Sequence, residues 1–420
     1  MNGRAHPLQG VSKGLFGVFA FLAGLLRPVI HIRVGLIHAR SIGRISGNME
    51  YYFRKVHLGD EPANRFDILI AEDNPVNTQI MRMIERKAQE TPRTLLIRSA
   101  WLWHLVRDMQ EPAPNQPGRQ GVPPDSPLWL NLRHAGFLVE WRTWQDAPPQ
   151  FSFSADEERE GEDLLALFGI PADAPFVVMH ARDKAYTDSP DFIRRYDDPL
   201  CYDDFRDCDI ETYLDAADWL TEQGFWVIRA GHQVEGPLSS NNPMVIDYAG
   251  RIRRHIPNPD FADVYLQAKC RFFVGCTAGI YYLSHIFNVP MAFVNMIPLA
   301  ECGRLDHDLF ILKRYWNRKL DRFMTFREMA ERGADWNRIW HDKLKAYADE
   351  GIEFIDSTPE EILDLVQEMV ARLDGTWKSE DGDKELQDKF RDIFPADNPM
   401  VDFPGYLGAK FTRQSKDQLS

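Results

Sequence analysis

Three short segments carry residue types that can hold an anion: His180-Ala181-Arg182-Asp183, Arg229-Ala230-Gly231-His232 and Gly275-Cys276-Thr277-Ala278-Gly279. Each follows an apolar run that reads as a β-strand, namely Phe176 to His180, Phe225 to Ile228 and Arg271 to Val274. Arg182 and Arg229 can offer forked donors to a diphosphate, while Thr277 and its small neighbours open a helix whose first N–H groups point outward. The competing reading gives the glycines to tight turns and pairs each arginine with a neighbouring acid. Three such segments at successive strand ends favour a ligand over three separate accidents. Asp247 and Tyr248 follow another short strand and are candidates to contact a nucleoside, unless Asp247 simply caps the next turn.

The elements that must position these residues alternate. Beyond Phe176 to His180, helical patterns at Asp209 to Gln223, Phe261 to Lys269 and Ile280 to Phe287 separate apolar runs, the last of them Met291 to Val294. Fully apolar strands alternating with helices predict a parallel sheet covered on both faces, with binding at the carboxyl ends of its strands. The N-terminal half repeats the theme more faintly. Ile30 to Ile37 and Phe66 to Ala71 read as strands, a glycine-bearing turn (Gly43, Gly47) leads into a helix at Met49 to Val56, and Ile80, Met83 and Ile84 give a helical period. The expected class is α/β, with a segment at 1–29, a first Rossmann-like domain at 30–150, a second at 151–377 and a tail at 378–420. Six prolines between Glu111 and Pro127 place an irregular surface loop at 111–127.

Length and charge narrow the partners. A chain of 420 residues exceeds one ordinary core, and a net charge of −14 repels nucleic acid while leaving a phosphorylated small molecule open. No Asp or Glu precedes Glu50, although Arg4, Lys13, Arg27, Arg33, Arg40 and Arg44 do. The apolar stretch Leu15 to Leu26 is twelve residues long, too short for a hydrocarbon core of ~30 Å, and no convincing cleavage site follows it. It either covers the first sheet or lies on the inner membrane surface. Five cysteines without a CxxC pair read as reduced cytosolic thiols, and twelve histidines without HExxH spacing give zinc little support. Asp207-Cys208-Asp209 and Asp306-His307-Asp308 match a manganese-binding DxD pattern. Asp209, however, precedes the periodic Ile210, Tyr213, Leu214 and Ala217, as a helix N-cap does. No metal and no cofactor are expected.

The run His180 to Tyr186, the strand Gly224 to Gly231, Asp247-Tyr248 and Phe273 to Gly279 ending in Pro290 resemble a bacterial family of glycosyltransferases of surface-polysaccharide clusters. Ile42-Gly43-Arg44, Asn48-Met49-Glu50 and Asp356 to Glu361 extend the resemblance over most of the chain from Ile30. That family is similar to the GT-B fold, two Rossmann-like doubly wound domains facing a cleft, with an HxRD element distantly like that of fucosyltransferases. The resemblance implies a nucleotide-sugar donor on the second domain, at Arg229, Gly231, Asp247, Tyr248, Gly275, Thr277, Ala278 and Gly279. It implies a glycan or lipid-linked acceptor on the first, near Gly43, Arg44 and Asn48. The thiols place the enzyme in the cytoplasm, peripheral on the inner membrane where the apolar segment lies on that surface. The chemistry would fall to Glu50, Asp183, Arg182 and His180, with Glu50 and Asp183 as candidate bases. This chain departs from the family in carrying Ser41-Ile42-Gly43-Arg44 where Arg-Ile-Gly-His is common, so a histidine base at that corner is absent. A nucleotide-sugar epimerase and a non-catalytic sugar-nucleotide-binding assembly factor are the competing readings.

Overall fold

A computed structural model describes residues 18–110, 128–132, 141–189, 204–299, 305–332, 341–396 and 402–419. The proline-rich loop expected at 111–127, and Cys201 and Cys302, lie outside the described residues. The chain is α/β and divides into two units. One comprises residues 1–134 with 150–152, and the other 135–149 with 153–420.

The first unit is built on a parallel sheet of β1 (His31–Ile37), β2 (Arg65–Ala71) and β3 (Thr94–Arg98), in the order β1-β2-β3. Trp129 forms a parallel bridge with Val34 on the free side of β1, so the chain crosses back over its first strand as a doubly wound sheet requires. Alternation along the strands sorts the faces. Ile32, Val34, Leu36, Ile68 and Ile70 pack with Ala23 of helix α1 (18–26) and with Trp103 and Val106 of a helix at Ala100–Gln110. Arg33 and Asp67 point the other way, beneath helix α2 (Met49–Leu58), where Tyr52 donates to Asp67 at 2.6 Å and Arg33 pairs with the same carboxylate at 2.7 Å.

Among the described residues the second unit holds ten further strands: β4 (Phe176–His180), β5 (Trp226–Arg229), β6 (Val245–Ile246), β7 (Phe273–Gly275), β8 (Met291–Met296), β9 (Leu309–Leu312), β10 (Arg314–Asn317), β11 (Arg322–Phe323), β12 (Ile352–Ile355) and β13 (Tyr406–Leu407). Seven form one sheet in the order β13-β9-β8-β7-β4-β5-β6, every pair parallel. The remaining three make a small antiparallel sheet, β11-β10-β12. Burial of all five residues of β4 and all six of β8 explains their unbroken apolar sequence, since helices cover both faces. From β4 the chain winds outward through β5 and β6, then returns to β7 on the other side of β4 and proceeds to β8 and β9. That reversal puts the switch point between β4 and β7, where open α/β sheets bind ligands. Gly275 is needed there, because a Cβ would stand 2.5 Å from the Phe273 ring and 2.9 Å from the His180 carbonyl.

Two expectations change in detail. The helix expected over Asp209 to Gln223 begins as a 3-10 turn, Ile210–Tyr213, before the α-helix Leu214–Glu222, and the one at Ile280 to Phe287 shortens to a 3-10 turn and Tyr282–His285. The segment 378–420, expected as a tail, supplies a helix at Asp383–Arg391 and the edge strand β13 of the main sheet.

Candidate functional site

The site is assembled from the carboxyl ends of β4, β5 and β6. At the end of β4, His180 is 9% exposed and its Nδ1 lies 2.9 Å from the Ala230 carbonyl. A carbonyl only accepts, so Nδ1 carries the proton and Nε2 is left as an acceptor. Burial pushes the imidazole pKa down to about 4, which keeps the ring neutral. The next residues turn away from the sheet. The Arg182 N–H donates to the Cys276 Sγ at 3.2 Å, tying the ends of β4 and β7 across the switch point, while its guanidinium pairs with Asp207. Burial raises the Asp207 carboxyl to about 6 against the pull of Arg182. Lys313 closes this group, donating to the Asp207 carbonyl and pairing with Asp356, each at 2.6 Å.

Asp183, Arg229 and Asp247 form a second group, and together they fold the loop after β5. Asp183 caps the short helix Lys184–Thr187 through the Ala185 N–H and accepts the Glu235 N–H with its other oxygen, both at 3.0 Å. Arg229 is 4% exposed and donates to the Gly236 carbonyl at 2.8 Å. It stands 3.5 Å from Asp247 and 4.0 Å from Asp183. Asp247 accepts the Leu238 N–H at 2.9 Å and the Gly250 N–H at 3.0 Å. The three side chains thus pin Glu235, Gly236 and Leu238 in place. Gly231 lets the loop begin close to the sheet, since a Cβ there would meet Val234 at 3.1 Å and Ala249 at 3.3 Å.

The pinned loop lines a pocket of about 810 Å³ together with Ala249, Gly250, Arg251, Arg253 and Arg254. Three arginines line it, Arg251, Arg253 and Arg254, with His232 and one acid, Glu235. Arg253 is tied to Asp263 at 2.7 Å and holds the wall, whereas the side chain of Arg251 is 61% exposed and Arg254 is also exposed. Arg251 and Arg254 are therefore the exposed cations of the lining, of a kind suited to phosphate oxygens.

Several expected site residues are placed differently from their assigned roles. Arg229 does not offer an open fork to a ligand, because burial and the Gly236 carbonyl occupy it. Asp247 caps the turn Tyr248–Ile252 rather than reaching into solvent. Tyr248 is 0% exposed and donates to Asp263 at 2.8 Å, so it is a core residue and not a nucleoside contact. The Thr277 hydroxyl accepts the Ile297 N–H at 3.2 Å and joins β7 to β8, while Ala278 and Gly279 lead into a helix too short for a useful dipole. Glu50 is 0% exposed, with Oε1 accepting from Arg54 at 2.8 Å and from the Gln150 N–H at 2.7 Å. Burial lifts its pKa to about 7, yet a base must touch the acceptor hydroxyl, and this carboxylate is sealed from it. Both oxygens of Asp183 are likewise engaged. In the first unit, Gly43 precedes the π-helical turn Arg44–Asn48 beyond the carboxyl end of β1, and Asn48 is buried. Asp209 accepts the Glu211 N–H at 2.9 Å as an N-cap, and Asp308 accepts the Met291 and Leu305 N–H groups. Neither DxD match is arranged as a metal site. The residues missed are Arg251 and Arg254. Their signal was the run Arg251-Ile252-Arg253-Arg254-His255 after a strand end in an acidic chain.

Among solved structures, the chain is similar to bacterial glycosyltransferases. A glycosyltransferase family 9 protein of Veillonella parvula matches at 10% identity and a TM-score of 0.33, over 63% of this chain and 80% of that one. The ADP-heptose LPS heptosyltransferase II of E. coli matches at 14% identity and 0.35, over 62% and 84%. E. coli heptosyltransferase WaaC with ADP matches at 10% and 0.30, over 76% and 99%. No family model and no curated protein matches the chain.

Proposed function

We propose that this chain is a glycosyltransferase that binds the diphosphate of a nucleotide-sugar donor in the arginine-lined pocket and passes the sugar to a glycan or lipid-linked hydroxyl. The carrying observation is the pocket's place and charge. It lies beyond the carboxyl ends of β5 and β6 and is lined by Arg251, Arg253 and Arg254, in a chain of net charge −14. Glycosyl transfer builds negative charge on the leaving diphosphate as the sugar gains oxocarbenium character, so cations there stabilise the transition state more than the ground state. Arg251 and Arg254 are assigned that work. Neutral His180, held to the Ala230 carbonyl, is assigned with Arg229, Asp183 and Asp247 to the frame of the pocket. The acceptor is assigned to the first unit, at the Gly43 to Asn48 corner. Placement in the cytoplasm fits the buried free thiols Cys208, Cys270 and Cys276.

Titration calorimetry of the full chain with ADP, UDP and GDP tests this reading. One of them should bind equally well in EDTA and in magnesium, since arginines neutralise the phosphates. Arg251→Ala and Arg254→Ala should each weaken binding tenfold or more, as a charged hydrogen bond is worth about 1.5–3 kcal/mol. Strict dependence on manganese, or full affinity in the double variant, would remove the arginine assignment. Interconversion of a nucleotide sugar without any acceptor would make the enzyme an epimerase instead.

A further inference from the structure

Helix α1 is inside out for a helix on a water-facing surface. With ~100° per residue, Ala20 and Ala23 share one face, and these small residues are the ones that pack on the first unit's sheet. The large residues face away: Val18 is 58% exposed, Phe21 66%, Leu22 51% and Leu25 63%, and Val29 in the following turn reaches 80%. Val18, Phe21, Leu22 and Leu25 form one continuous stripe opposite the alanines. Gly24, on the flank between Ala20 and Phe21, is open as well, since a Cβ there would meet nothing within 4 Å. The patch continues in kind on the helix Ala100–Gln110, which packs into the same cluster through Trp103 and Val106 and carries Trp101 at 73% exposure. Large exposed apolar side chains gathered on one helix face mark an interaction site.

Charge identifies the partner. The chain as a whole is strongly acidic, yet no Asp or Glu occurs among residues 1–49. Arg27 directly follows α1 and is exposed, while Arg33 pairs with buried Asp67 and Arg40 with Glu72. An acid-free apolar face that ends in an exposed arginine complements an anionic bilayer, in which the apolar side chains enter the acyl boundary and tryptophan settles at the headgroup level. No helix among the described residues is long and apolar enough to cross a bilayer. We propose that the outer face of α1, with Trp101, lies on an anionic lipid surface and docks the first unit there. This deepens the assignment of the acceptor to that unit, because a lipid-linked acceptor would be met at the same surface. The docking itself does not depend on glycosyl transfer.

The test is co-sedimentation of the full chain with phosphatidylcholine vesicles, with and without phosphatidylglycerol, for the native sequence and for Phe21→Glu with Leu25→Glu. These side chains are mostly exposed, so circular dichroism should report an unchanged thermal midpoint. The native chain should pellet with the anionic vesicles and much less with the neutral ones, and the double variant should lose at least about tenfold in partitioning. A native chain that stays in the supernatant with every vesicle, or a double variant that pellets as well as the native chain, would overturn the proposal. A native dimer that the double variant dissolves, without vesicle binding, would assign the face to a second copy. Nucleotide binding should be unaffected by the double variant, so failure here and failure of the donor-site reading remain distinguishable.

Discussion

Arg229→Ala withdraws a guanidinium that is 4% exposed, bonded to Gly236 and set between the carboxylates of Asp183 and Asp247. Removing one partner of a buried ion pair ordinarily costs about 3–5 kcal/mol, because the other charge is left uncompensated. Two features pull the expected loss to the lower end, about 3 kcal/mol. Asp183 keeps two N–H donors, and Arg251 stands 3.7 Å from Asp247 and can take part of its charge. Urea unfolding followed by near-ultraviolet circular dichroism should show the midpoint falling for Arg229→Ala. Arg229→Lys should recover part of the loss, since an ammonium restores charge but not the fork that reaches Gly236 and Asp247 together. Nucleoside diphosphate affinity should fall with stability, because Glu235, Gly236 and Leu238 lose their common anchor. An unchanged urea midpoint combined with abolished binding would refute this reasoning and make Arg229 a direct ligand contact.

Glu50 has a folded pKa of about 7 against an ordinary 4.5, so the folded state holds its proton more tightly. The stability this supplies is full below about 4.5 and is lost as pH rises through 7; Glu50→Gln should flatten that part of the stability-against-pH curve, and a curve identical to the native one would contradict the assignment. Gly275→Ala should destabilise by about 1–3 kcal/mol through overpacking between β7 and β4, measured by thermal unfolding. An unaffected melting temperature would mean that the Phe273 ring moves aside freely.

The fold was legible where one face or both are buried without exception. Phe176 to His180 and Met291 to Val294 are apolar because helices cover both sides of the sheet, and such runs announce themselves. The strand-end positions of His180, Arg182, Arg229 and Asp247 could be read for the same reason. What each does there could not, because it depends on residues distant in sequence. Arg229 is consumed by a loop that folds back seven residues later, and Tyr248 by Asp263 fifteen residues on. Glu50 and Arg54 stand at i and i+4 on one helix, a spacing visible in sequence, but the depth of their burial is not. Arg251 and Arg254 were overlooked because exposed arginines are common on any surface, and only the pocket distinguishes them. Strand β13 has two paired residues, too few for any periodicity to show.

That short strand also bears on how the protein avoids sticking to itself. Tyr406 and Leu407 pair with Leu309 and Phe310 of β9, whose four residues Leu309, Phe310, Ile311 and Leu312 are all within 1% of complete burial. Without its cover, β9 would be a bare apolar rim with unspent N–H and C=O groups, a template on which a strand of another molecule can lay itself. Nearly a hundred residues separate the rim from its cover. During synthesis, therefore, the rim emerges long before the segment that closes it, and a ribosome that stalls in between releases a product whose fate is association with its neighbours rather than folding.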